Sequence, residues 1–291
     1  YLFTLCATFG AISAQVLIPF ASSISPPESS AAIVGKLMSG LVMGIILSRT
    51  FAGFVSNYWS WEGVYLSSGV ITLLFATLMW RKLPNTQPQS DLNIVSIYQS
   101  LFQIARNNPH LIRRACAGAL GFGILSMVFT SMTFVLGSAP YFFNDFEIGL
   151  FGLLGVIGIY SSSWSGKTVG LGNENLVAKL CISLMLFSCV PLFFAQQNIG
   201  IYAIGVLMSY FGLTAFHVLN QNLVYRIDAN ARSRINAVYM TIYFSGAALG
   251  SLGAVYAWEH WQWQGCVALG LTFAIGILWI DRFDFKLMRK N

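Results

Sequence analysis

The chain has 291 residues, of which 56% are apolar and 9% charged, with 16 Lys and Arg against 10 Asp and Glu for a net charge of +6. Soluble domains carry about 25% charged residues, so this composition excludes a water-soluble protein and points to one embedded in a lipid bilayer. Nucleic acid is not an expected partner, because the basic residues are scattered over several loops and a tail, with no basic stripe or aromatic platform beside them.

A hydrocarbon core of about 30 Å needs roughly 20 apolar residues in helix. Tyr1 to Ala21 is the first such run, broken by Ser25-Pro26-Pro27-Glu28. The second runs from about Ile33 to Trp59 and, past Lys36 in its first turn, is interrupted only by Arg49; the third is Gly63 to Trp80. A hydrophilic stretch from Arg81 to Arg114 follows, with Pro84, Pro88 and Asn107-Asn108-Pro109 as breakers. Inside it Ile94, Ile97, Tyr98, Leu101, Phe102 and Ala105 recur at helical spacing. They predict an amphipathic helix, either lying on the cytoplasmic membrane surface or packed against the inner ends of the spans. Ala115 to Phe142 and Ile148 to Ser165 come next. Then 46 uncharged residues run from Leu180 to Tyr225, too many for one helix, and Gln196-Gln197-Asn198-Ile199-Gly200 is the obvious turn. Ile235 to Trp258 and Trp263 to Ile280 complete an all-α, polytopic fold of about nine spans. It divides into three helices over residues 1–80, a cytoplasmic interdomain loop over 81–114 and six helices over 115–291.

The loops alternate between two kinds. One kind, with the tail, holds every Lys and Arg except Arg49; the other holds none. Cytoplasmic loops collect Lys and Arg, which predicts a cytoplasmic C-terminus and an external residue 1. Trp59, Trp61, Trp258, Trp261 and Trp263 gather at the expected outer face as interface anchors. Cys6, Cys116, Cys181, Cys189 and Cys266 all lie in apolar runs without a C-x-x-C pair, so no disulfide or zinc site is expected. The histidines and acidic residues are dispersed and no H-E-x-x-H occurs. No metal, no cofactor and no enzymatic activity are expected.

Three stretches resemble the major facilitator superfamily, and within it bacterial proton-linked efflux permeases. Gln15-Val16-Leu17-Ile18-Pro19, the glycine-rich run Gly35 to Gly44 and Arg49-Thr50-Phe51-Ala52-Gly53 are similar to the family's fourth and fifth helices. Trp61-Glu62-Gly63-Val64-Tyr65 is similar to the entry to the sixth. Asn220-Gln221, Ser233 to Thr241 and Gly246 to Ser251 are similar to the junction of the tenth and eleventh. The likeness departs at Ser29 to Ala32 and at Glu62, where arginines are common, and at Gly166-Lys167-Thr168-Val169-Gly170, a reduced copy of an acidic-basic motif. The resemblance implies a multi-pass protein of the bacterial inner membrane whose first three helices are absent. It implies transport of a small molecule, by proton-coupled efflux through alternating access; the alternative is a non-functional truncated remnant. On that reading residues 1–291 alone should not transport.

Candidate residues follow. Arg49 is a charge within a span, which persists only beside a cavity or a partner. Asn236, Tyr239, Tyr243, Gly246 and Gly250 share one helix face, read as cavity lining or structural hydrogen bonding. With a partner helix absent, that face is expected to lie open. His217, Asn220 and Gln221 close the seventh span, with His217 either a proton relay or structural. Gly40, Gly44 and Gly53 permit close helix approach, for packing or for a sliding contact between the halves.

Overall fold

The computed structural model describes residues 17, 20, 27–83, 94–228 and 231–288, and these form helices, turns and loops without a strand among them. Helix α1 (Pro27–Tyr58) and α2 (Trp61–Lys82) form a hairpin. Helix α3 (Ile94–Asn107) and α4 (Pro109–Gly137) follow. Helix α5 (Asp145–Leu150) continues through a tighter 3-10 stretch (Phe151–Val156) into α6 (Ile157–Gly170). Helices α7 (Glu174–Phe193), α8 (Ile199–Tyr225) and α9 (Arg232–Met288) complete the chain.

Local chemistry explains the boundaries. Ser60 caps α2 by accepting from the Gly63 amide at 3.1 Å, and Glu62 in its first turn sits at the positive end of the helix. That position suits a carboxylate better than the arginine the family resemblance suggested. Pro109 opens α4, where a missing amide hydrogen costs nothing. Asn144 and Glu147 form a reciprocal cap on α5. Asn198 accepts from the Gly200 amide at 2.7 Å, so the turn expected at Gln196 to Gly200 separates α7 from α8. Helix α9 reverses at Gln262 (φ 54°, ψ −152°), giving two arms that pack on each other, Gly253 against Leu269 and Cys266 against Ala254.

Six stretches among the described residues are long and apolar enough to cross a bilayer: Trp61–Lys82, Pro109–Gly137, Asp145–Gly170, Glu174–Phe193, Ile199–Tyr225 and Arg232–Arg282. The last has 51 residues, which at 1.5 Å each far exceeds a membrane; the reversal at Gln262 makes it two crossings. The expected count of nine is not reached among the described residues. Apart from Leu17 and Phe20, the first expected span lies outside the described residues, and the second, carried by α1, is not among the six.

Two buried layers hold the bundle. One joins Leu111, Ile124, Met185, Phe216, Leu219 and Ile277; the other joins Met127, Leu136, Leu192, Tyr202, Val206 and Trp263. The connectivity brings Arg113, Arg114, Lys167, Lys179, Arg226 and Arg232 to one end, where Arg226 pairs with Glu174. Asp145, Glu147 and Glu259 lie at the other. Helix α3 runs along the basic end against α9. Ile104 joins the core there, whereas Tyr98 and Phe102 of the expected apolar face stay exposed.

Candidate functional site

Arg49 lies where α1 crosses the α5–α6 segment. Its Cβ touches the position a Cβ on Gly152 would take, 2.7 Å away. Its guanidinium carbon stands 3.6 Å over the centre of the Phe129 ring of α4, a cation–π contact. Phe129 in turn meets Tyr210 of α8 edge to face at 5.6 Å, and the Tyr210 and Tyr202 hydroxyls are within electrostatic reach of the guanidinium. Arg49 is exposed to a cleft of about 350 Å³ that Ser56, Trp61, Tyr65, Phe129 and Asp145 also line. A carboxylate therefore does share the cleft, although Ser56 already donates to it.

The seam beside Arg49 is made of small residues. A Cβ on Gly53 would stand 2.3 Å from the Asp145 carbonyl oxygen, and one on Gly149 would stand 2.9 Å from the Arg49 carbonyl. Thr50 donates to the Gly149 carbonyl at 3.2 Å, and Phe54 meets Phe146 edge to face at 6.0 Å. Gly53 thus permits a backbone-to-backbone approach. Around Gly40 and Gly44 nothing among the described residues lies within 4 Å, so of the three glycines Gly53 is the one whose close approach is seen among them.

A second group of candidates meets between α8 and the first arm of α9. His217 Nδ1 is 3.2 Å from the Tyr239 hydroxyl, and its ring lies 4.4 Å from that of Tyr243. Tyr243 stacks on Phe122 of α4 at 4.5 Å. Tyr225 donates to Asn236 at 2.7 Å. Asn220 is fully buried and interacts with the Tyr239 hydroxyl, yet neither its Oδ1 nor its Nδ2 closes a hydrogen bond of ordinary geometry. Gln221 follows it, half-buried.

The face of Asn236, Tyr239, Tyr243, Gly246 and Gly250 was expected to lie open, and it does not. Helix α4 covers it. A Cβ on Gly246 would be 2.1 Å from the Ala119 carbonyl oxygen, and one on Gly250 would be 2.2 Å from that of Gly123. Gly118 leaves the room that Tyr239 and Tyr243 fill. Ser251 extends the seam by bonding Ser126 and Thr130, each at 2.8 Å.

Other residues escaped the sequence reading. Arg114, read as a loop charge, is buried and pairs with Asp281 at 2.9 Å, joining α4 to the second arm of α9. The Asn107-Asn108-Pro109 breaker was the available signal, since a helix starting at Pro109 carries Arg114 inward. Trp263 is a plug rather than an interface anchor: it is 1% exposed and donates to the Leu192 carbonyl at 2.6 Å.

The fold and its seams define the protein class as a polytopic helical membrane protein in which glycine-lined helix crossings bring a cleft lined by Arg49 and a buried aromatic network together. The family model of the Major Facilitator Superfamily matches residues 1–251, and the chain belongs to that family. It is 35% identical to the uncharacterized transporter YgaY of Escherichia coli O157:H7, over 91% of this chain and 67% of that protein. It is 27% identical to the probable transporter SCO4007 of Streptomyces coelicolor, over 93% of this chain and 63% of that protein. It is 22% identical to the inner membrane transport protein YnfM of Escherichia coli K12, over 90% and 63%. The chain thus spans about two thirds of the length of these relatives. With similarity running along nine tenths of the chain, the remnant alternative is not favoured.

Proposed function

We propose that the protein moves a small molecule across the bacterial inner membrane by alternating access, coupled to protons and directed outward, with its C-terminus in the cytoplasm. The observation that carries this reading is the placement of Arg49. A charge among the apolar residues of an expected span is retained only for a partner or a cavity, and Arg49 of α1 has both, the Phe129 face and the cleft it lines. The seam beside it is held by Gly53, Gly149 and Gly152 rather than by interlocked side chains. Such a contact can part and re-form with little repacking, as alternating access requires. In this reading α1 and the α5–α6 segment move against each other, and substrate passes along the cleft.

The test is transport in vesicles, normalised to inserted protein and screened over dyes, sugars and nucleosides under an imposed pH gradient. Saturable, gradient-dependent movement is expected, lost in Arg49→Ala and partly restored in Arg49→Lys, whose ammonium lacks the planar donors of the guanidinium. Absence of saturable movement across the whole panel would count against the transport reading. Wild-type rates in Arg49→Ala would remove Arg49 from the path.

A further inference from the structure

We propose that His217, Tyr239 and Asn220 form a two-state proton-binding switch between α8 and α9. It deepens the transport reading by naming the group that takes the coupling proton, and its role in transport rests on that reading.

The placement of titratable groups comes first. Among the described residues the acidic ones stand in loops, near the reversal of α9 or within about two turns of a helix end: Glu28, Glu62, Asp145, Glu147, Glu174, Asp228, Glu259, Asp281 and Asp284, with Asp281 paired to Arg114. His110 occupies the first turn of α4, and His260 the outer reversal of α9. His217 lies two turns inside α8, and an imidazole ordinarily changes charge near neutral pH.

The groups that face His217 are aromatic rings and hydroxyls. Tyr239 and Tyr243 face it from α9, and Gly118 of α4 stands against both tyrosines. Tyr210 interacts with Tyr243, while Tyr225 and Arg114 interact with Tyr239; Arg114 is paired with Asp281. The neutral imidazole accepts at Nδ1 from the Tyr239 hydroxyl. When one proton is taken up, Nδ1 becomes a donor to the Tyr239 oxygen, and the hydroxyl hydrogen loses its acceptor. Asn220 supplies the replacement. It lies three residues from His217, on the same side of α8. Its buried amide lacks a hydrogen bond of ordinary geometry in the state described. A buried amide left without hydrogen bonds is costly, and turning the Tyr239 hydroxyl toward Asn220 Oδ1 satisfies its oxygen. The net change is one proton gained, with no bond to carbon made or broken and no electron transferred.

The chain has three histidines, so isotope-labelled imidazoles in detergent or lipid give few signals, and His217→Gln identifies the one in question. The His217 imidazole is expected to take up one proton as the pH is lowered, with Nδ1 unprotonated at the alkaline end. Asn220→Leu removes the second acceptor and should move the midpoint to lower pH. Asn220→Asp strengthens that acceptor and should move it to higher pH, each by about one unit. Tyr239→Phe keeps the ring and its packing, and should abolish the difference between the two Asn220 variants. An imidazole that does not titrate, or a midpoint unmoved by both Asn220 variants, would overturn the proposal. In vesicles His217→Gln should lose the dependence on a pH gradient, and retained dependence would equally overturn it. If the wild type shows the titration pattern but no transport, the switch stands and the transport reading fails.

Discussion

Arg114 and Asp281 make a buried ion pair of 2.9 Å across 167 residues of chain, tying the start of α4 to the far end of α9. Removing one partner strands the other charge in a buried site. Such losses cost about 3–5 kcal/mol. Arg114→Met and Asp281→Leu should therefore each lower the thermal midpoint in detergent sharply, whereas the double variant should recover much of the loss. Equal loss in singles and double would mean that the pair is not the reason for their burial.

The closeness of Gly53 to Asp145 leads to a conformational prediction. A Cβ at residue 53 would stand 2.3 Å from a backbone oxygen, so Gly53→Leu cannot fit the seam as it stands. Overpacking of this kind costs about 1–3 kcal/mol. If the seam closes the outer end, the whole cost falls on the closed state and shifts the population by roughly 5- to 150-fold toward the open one. A cysteine placed at Ser56 should become more reactive to an impermeant reagent in the Gly53→Leu background, while insertion is preserved. Unchanged reactivity would show that the seam is static packing.

Much of the helix pattern was legible because its punctuation is local. Asn198 ends one apolar run and caps the next helix, and Pro109 starts α4, so the residues that mark those boundaries also make them. Facing was legible only in part. Trp261 and Trp263 are two residues apart in the same kind of run, yet the first is exposed and the second is sealed against Leu192, because the chain reverses at Gln262 between them. Arg114 looked like its neighbour Arg113 until α4 turned it toward Asp281. For the site, Arg49 stood out as a charge among apolar residues, and the aromatic and glycine spacing placed Tyr239, Tyr243, Gly246 and Gly250 on one face. What covers that face could not be read, because pairing α9 with α4 depends on contacts more than 100 residues apart.

Orientation can be checked at two turns of the six-helix part. Gly172 (φ 81°) sits between α6 and α7 beside Lys167 and Lys179, and Gln197 between α7 and α8, in a loop free of charge. In a cysteine-free background, Gly172→Cys should be labelled only after the cytoplasmic side is opened, and Gln197→Cys should be labelled in intact cells. The opposite pattern would invert the topology and remove the cytoplasmic C-terminus with it.

The last prediction separates the charge of Arg49 from its contact with Phe129. The guanidinium lies flat enough over the ring to bring its carbon to 3.6 Å, and a desolvated contact of this kind is worth about 0.5–2 kcal/mol. Phe129→Leu keeps an apolar side chain in α4 but removes the π face. Transport should then fall about 2- to 30-fold, and the thermal midpoint in detergent should fall as well, but not when Arg49 is already Ala. Phe129→Trp offers a richer face and should retain the rate if the cleft tolerates its bulk. Additive losses of thermal midpoint in Phe129→Leu and Arg49→Ala would show that the two residues act separately, with Phe129 serving as packing against Tyr210 rather than as the seat of the charge.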